Sequence, residues 1–291
     1  MDNLLEWLSV SDEVSEIAYN ISDEIINDVS NRTDRKIGKI NSIPFVEGNL
    51  THKANGVIGN ILVVYTIYYC NDDVDYRMLE RNGALNCFAD SDNNTIYIVS
   101  ALIRGRIKDG FVSDISHEVE HLYQYSNGMA KNVNLYDSIM NVINDNSIED
   151  AKKYPAYLVY YTFKHEADAF ATQFYHMLKE YNSDVSFSEA KSKFYICQAI
   201  TGLNAAVNNE LPPDDVKDGV RLIGLTLKQW KNRVKRGTYR LEHKLRNVYH
   251  RYCIERLRST TVEGIVSRQL HLYGQYQLLE ETIEPIYELA E

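Results

Sequence analysis

Proline and glycine are scarce in this chain, at 5 and 14 of 291 residues, which argues against long flexible linkers. The four cysteines, Cys70, Cys87, Cys197 and Cys253, lie far apart with no CxxC pair. That spacing argues against both a disulfide scaffold and a cysteine-rich zinc knuckle. No apolar run approaches the ~18–20 residues a membrane-spanning helix needs, so no membrane association is expected. The first residues, MDNLLEWLSVSDEVSEI, lack both a basic flank and a long apolar stretch, so no secretory signal is predicted. A cytoplasmic or otherwise intracellular, reduced protein is the expectation. GxxxxGK[ST], GxGxxG and GxSxG are all missing, which leaves nucleotide-binding and serine-hydrolase readings without support. No internal repeat or low-complexity tract is present.

What remains is ordinary globular composition, 44% hydrophobic and 25% charged, with enough length for one large domain or two average ones. Charge is unevenly spread. From Lys228 to Arg258 there are 11 cations against Glu242 and Glu255, a local balance of 11 − 2 = +9 in a chain of net charge −10. A basic C-terminal segment is therefore set against an acidic body. Trp230, Tyr239, Tyr249 and Tyr252 are interleaved with those cations. This pattern offers a site for an acidic or nucleic-acid partner, or simply a solvated helical face.

Periodicity divides the chain. Ser11–Thr33 carries Val14, Ile17, Ala18, Ile21, Ile25 and Ile26 at helical spacing. Val57–Cys70 is rich in branched and aromatic residues, the composition of a buried strand, and Ala84–Ala89 and Asn94–Ser100 are shorter strand candidates. Gly110–Tyr125 reads as a helix with Asp109 as N-cap and Asn127-Gly128 as stop. Pro155 is expected to open a helix running to about Tyr181. Ser186 and Glu189 form a capping box for a helix reaching about Asn209. Beyond Pro212-Pro213 further helices are predicted, interrupted near Gly237 and Gly274. The fold expected is α+β: a domain over 1–185 with a small mixed or antiparallel sheet, followed by an all-helical extension over 186–291.

The chemistry-bearing motif is His117-Glu118-Val119-Glu120-His121, an HExxH within SDISHEVEHLYQY. Positions i and i+4 share a helical face, so both imidazoles can reach one ion. Zinc accepts such nitrogens in a tetrahedral shell. Glu118 follows the first histidine, where it can face a water and take its proton. Ile115, Val119 and Leu122 provide an apolar stripe beside the motif. A catalytic zinc needs a third protein ligand. None follows at the short spacing of HExxHxxGxxH, since the residues after His121 read LYQYSNG. Glu166, in FKHEADAFA, is the favoured third ligand, with His165 and Asp168 as alternatives. Its alanines allow that helix to approach the motif helix closely.

These residues resemble the zincin metallopeptidases of the gluzincin type. There an HExxH helix precedes a second helix bearing a glutamate near an Ala-Asp pair. The counterparts are His117, Glu118 and His121, then Glu166 before Ala167-Asp168. The familiar register places the glutamate three residues before that alanine, where this chain has Lys164. The likeness spans roughly residues 94–181. It implies a zincin-like domain, one Zn2+, and peptide-bond hydrolysis of a peptide or protein substrate with Glu118 as general base. It also implies that NTIYIVS acts as the edge strand along which substrate aligns. Tyr123, Tyr125, Tyr157, Tyr160, Tyr161 and His165 are candidate oxyanion donors. Two other classes remain open: a non-catalytic assembly protein of viral or mobile-element origin retaining this fold, and a nucleic-acid-associated protein using the segment 228–258.

Overall fold

A computed structural model describes residues 11–31, 37–40, 43–104, 106–107, 110–128, 133–181, 185–194, 208 and 213–259. In chain order the elements are α1 (Asp12–Asn31), β1 (Ile37–Ile40), β2 (Ile43–Lys53), β3 (Asn60–Cys70), α2 (Asp73–Arg81), β4 (Asn86–Asp90), β5 (Thr95–Ile103) and β6 (Arg106–Ile107). Helices follow: α3 (Phe111–Ser126), α4 (Val133–Asn144), α5 (Asp150–Tyr160), α6 (Lys164–Tyr181), α7 (Phe187–Lys193), α8 (Pro213–Leu222) and α9 (Leu227–Ser259). The class is α+β with a mixed sheet, and the described elements from Phe187 onward are all helical. The chain separates into two compact units, Met1–Tyr249 and His250–Glu291.

Strand order is β1-β2-β3-β5-β4, with β6 paired to β5. All pairings are antiparallel except β3 with β5, and the crossover between that parallel pair contains α2 and β4. Alternation in β3 turns Ile61, Val63, Tyr65 and Ile67 to one face, where they join Ile96 and Ile98 of β5. Against them lie Val14, Ile17, Ile21 and Ile25 of α1 and Phe111, Ile115, Val119 and Leu122 of α3, all buried. This shared core fixes the motif helix under the sheet. A smaller cluster on the other face joins Ile43, Tyr68, Cys70 and Ala101 to Leu79 of α2.

Strand β2 carries a weak sequence signal because Glu47, Gly48, Asn49 and His52 interrupt its apolar alternation. Pairing decides it instead. Gly48 lies opposite Tyr65, and a Cβ at Gly48 would overlap the Tyr65 ring. The glycine thus lets the tyrosine cross the strand and donate its hydroxyl to Asp28 of α1.

Several helix boundaries differ from sequence expectation. The N-cap of α3 is Gly110, at φ +87°. It has no side chain to cap the helix, and Asp109 lies outside the described residues. Glu180 of α6 supplies the missing acceptor, taking the Gly110 N–H at 2.7 Å and the Ser113 N–H at 3.2 Å. Pro155 sits inside α5 rather than at its first turn, and the helix expected to continue to Tyr181 breaks at residues 161–163. There the Thr162 hydroxyl bonds the Val159 carbonyl at 2.6 Å, a local alternative to the helical ladder. The capping box at Ser186 and Glu189 forms, but α7 closes at Phe194; the expected continuation to Asn209 falls largely outside the described residues, as does Gly274. Gly237, expected to interrupt a helix, lies within the continuous α9. A Cβ there would overlap Thr162, so this glycine provides a close approach to the α5–α6 break.

Candidate metal centre

Helix α3 is buried on almost every side, which carries His117, Glu118 and His121 into the interior at 7%, 8% and 9% exposure. One turn apart, the two imidazoles bring their Nε2 atoms to 3.1 Å, with ring planes at 83°. Phe170 packs against His117 at a centroid distance of 4.6 Å. The break at residues 161–163 restarts the chain as α6, with Glu166 in its first turn and alanines 167, 169 and 171 buried. Those small residues let α6 lie close against α3. Glu166, 1% exposed, reaches 3.7 Å from His117 Nε2 and 3.6 Å from His121 Nε2 with its Oε2 atom.

The donor atoms of His117, His121 and Glu166 all lie within 4.8 Å of one another, a group identified among the described residues. Two ligands held at about 2.0–2.1 Å from a tetrahedral zinc stand roughly 3.3–3.4 Å apart, and the three separations here straddle that value. Glu166 Oε2 is buried without a hydrogen-bond partner, as are His117 Nδ1 and His121 Nδ1. An orphaned carboxylate oxygen facing two imidazoles is costly unless a cation or proton meets it. The residues present therefore fit a metal ion.

Charge effects point the same way. Burial by itself would lower His121, yet the Glu166 carboxylate raises it to about 9. Burial by itself would raise Glu166, yet the charge on His121 and the imidazoles of His117, His121 and His165 hold it well below the usual carboxylate range. Glu118 is pushed upward by burial and by Glu166, against the opposing pull of His117, His121 and the Ala89 N–H. A carboxyl held higher in pKa is a stronger base once ionised.

The other sequence candidates separate clearly. His165 borders the cluster, with Nε2 3.3 Å from Glu166 Oε1. Asp168 pairs instead with Lys244 of α9. Tyr160 and Tyr161 line a cleft of about 700 Å3 together with His117, Glu118 and Phe170. Tyr160 is raised well above its usual range by burial and the nearby Glu166 carboxylate, and Tyr161 is pushed up to about 12 by burial and by Tyr157. Tyr157 is 37% exposed, and Tyr123 packs on the sheet core.

NTIYIVS contributes Ile98, Val99 and Ser100 to the wall of this cleft, but it is not the edge strand. Over Thr95–Val99, β5 is paired on both sides, so the edge belongs to β4. Asn86 and Cys87 line the cleft, and the Ala89 N–H bonds Glu118. The five-residue β4 contains Asn86 and Asp90, poor strand formers, which hides its role in the sequence.

Two groups escape motif reading altogether. Tyr136 of α4, raised by burial and by Glu166, packs its ring against His165 at a tilt, with centroids 5.5 Å apart. Glu120 is the second. It accepts from Gln124 Nε2 at 3.0 Å and Thr172 Oγ1 at 3.3 Å, while the same amide donates to the His165 carbonyl at 3.2 Å. Together they join α3 to α6 beside Glu166. No protein-family model, curated protein or solved structure matches this chain.

Proposed function

We propose that the protein is a zinc-dependent peptidase. The observation carrying this reading is the convergence of two buried imidazoles and one buried carboxylate, His117, His121 and Glu166, beside a fourth group, Glu118, at the wall of a cleft. Two histidines and a glutamate are one of the ligand sets of catalytic zinc, which leaves a position open for water or substrate. Bound there, zinc would act as a Lewis acid and lower the pKa of a water toward about 7.

Glu118 takes a proton from the attacking water and returns it to the leaving amine, a task suited to a carboxylate whose pKa burial has raised. Tyr160 and Tyr161, protonated throughout the physiological range, supply hydroxyl donors at the cleft wall for the developing oxyanion. The edge of β4 offers backbone groups to an extended peptide, which adds as a further strand.

The test combines elemental analysis with cleavage of a peptide library. Stoichiometric zinc in the wild type, lost in His117→Ala/His121→Ala, is expected. Cleavage by wild type but not by Glu118→Gln is expected as well. Full zinc occupancy in the double variant, or equal cleavage by wild type and Glu118→Gln, would overturn the reading.

A further inference from the structure

The basic segment has no part in that chemistry, and its geometry departs from a uniform charged coil. Between Leu227 and Tyr249, α9 carries eight cations and one acid, Glu242, a balance of 8 − 1 = +7. Helical geometry sorts them. Trp230, Val234, Gly237, Leu241, Leu245 and Val248 are buried on one side. At 100° per residue, Lys228, Asn232, Lys235, Arg236, Tyr239 and His243 fall within an arc of about 100° on the other, and all six are exposed.

Partners sort them again. Lys244 is taken by Asp168, Arg246 reaches Glu242, Arg240 donates to the Thr162 carbonyl, and Arg233 covers the Phe163 ring. These cations are spent on the fold. Lys228, Lys235 and Arg236 meet no carboxylate among the described residues. Among them stands Tyr239, 74% exposed, its ring stacked on His243 at 26° and 6.3 Å. A tyrosine held outward on a positively charged face gives a flat surface with one side open. On a chain of net charge −10, a positive stripe stands out for polyanions.

We propose that this outer face of α9 binds single-stranded nucleic acid, with Lys228, Lys235 and Arg236 contacting phosphates and Tyr239 stacking a base. Charge alone would suit an acidic peptide equally well. The exposed ring favours nucleic acid, because every base has a π-face to lay on it, whereas a run of carboxylates has none. Side-chain ammonium and guanidinium groups contacting phosphates read no sequence, so binding is sequence-tolerant. The inference is independent of the metal centre and does not require peptidase activity.

The test is fluorescence anisotropy with the full chain and a fluorescein-labelled oligothymidine. Three phosphate contacts on a single strand predict a log–log salt slope of roughly −2, so affinity should fall about 20-fold between about 50 and 200 mM salt. Replacing all three cations, Lys228→Gln/Lys235→Gln/Arg236→Gln, should flatten that slope. Tyr239→Ala should weaken binding by at least about 5-fold with the slope unchanged, and Tyr239→Phe should restore it. Circular dichroism on each variant verifies the fold, which these exposed positions leave intact. No anisotropy change up to about 100 µM protein at low salt would overturn the proposal. So would wild-type affinity in Tyr239→Ala, or equally potent displacement by polyglutamate, which would reassign the face to an acidic protein.

Discussion

Glu166 and Asp168 stand two residues apart on α6 and face different partners. Glu166 Oε2 lies 3.6 Å from His121 Nε2, whereas Asp168 is paired with Lys244 of α9. A separation of about 200° around the helix makes the two roles exclusive. Glu166→Ala should therefore weaken zinc binding by more than about 100-fold, the upper range for groups that only support a ligand. Asp168→Ala should leave zinc affinity largely intact and instead destabilise the fold by about 1–3 kcal/mol, because it strands a partly buried ammonium. Competition with a chromophoric chelator measures the first quantity and urea unfolding the second. The reverse ranking would mean that α6 presents the wrong face.

Glu118 is buried beside the cluster but is not one of the three converging donors. Glu118→Gln should keep the fold and the metal while reducing peptide cleavage by about 10²–10⁴-fold, the usual contribution of a general base. Zinc occupancy and turnover measured on the same preparation separate the two effects. Loss of zinc from this variant would make Glu118 a ligand rather than a base.

How far the sequence foretells this arrangement differs residue by residue. His117, Glu118 and His121 are legible because their spacing is a property of one helix, and local geometry needs no tertiary information. The α1 face is legible for the same reason. Glu166 is only partly so: ligand count demands a third group, but its orientation depends on the break at residues 161–163. That break arises from Thr162 and from the space opened by Gly237, far along the chain. The edge strand is read wrongly because β5 has the stronger strand composition, while pairing on both sides removes it from the edge. Glu120, Gln124 and Thr172 carry no pattern at all. Their importance lies in hydrogen bonds between α3 and α6, which no periodicity records.

Gly237 illustrates that non-local dependence and gives a third prediction. In a helix interior, alanine is favoured over glycine by about 1 kcal/mol. Here the added methyl would overlap the Thr162 side chain and stand 2.9 Å from its Cα atom. Overpacking of this kind costs about 1–3 kcal/mol, so the clash outweighs the propensity gain. Gly237→Ala should lower the melting temperature, and it should also lower zinc affinity, because Thr162 leads into the turn that presents Glu166. A variant more stable than wild type would show that the α5–α6 break has room to yield.

Glu180 supplies the pH-dependent prediction. Burial raises its carboxyl to about 7, with Asp114 adding to the rise and the N–H groups of Gly110, Ser113 and Val112 opposing it. An acid whose pKa is higher folded than unfolded binds its proton more tightly in the folded state. Stability is then greatest below the unfolded value of about 4.3 and declines as pH rises toward 7. The full span corresponds to at most about 3–4 kcal/mol. The dipole at the N-terminus of α3 favours the ionised form by only about 0.3–1 kcal/mol, too little to reverse the direction. Glu180→Gln keeps a carbonyl oxygen for the helix terminus while removing the titration. Urea unfolding at about pH 5 and about pH 8 should show wild type losing stability relative to the variant as pH rises. A wild type that instead gains on the variant would mean that the α3 terminus holds Glu180 as a carboxylate throughout.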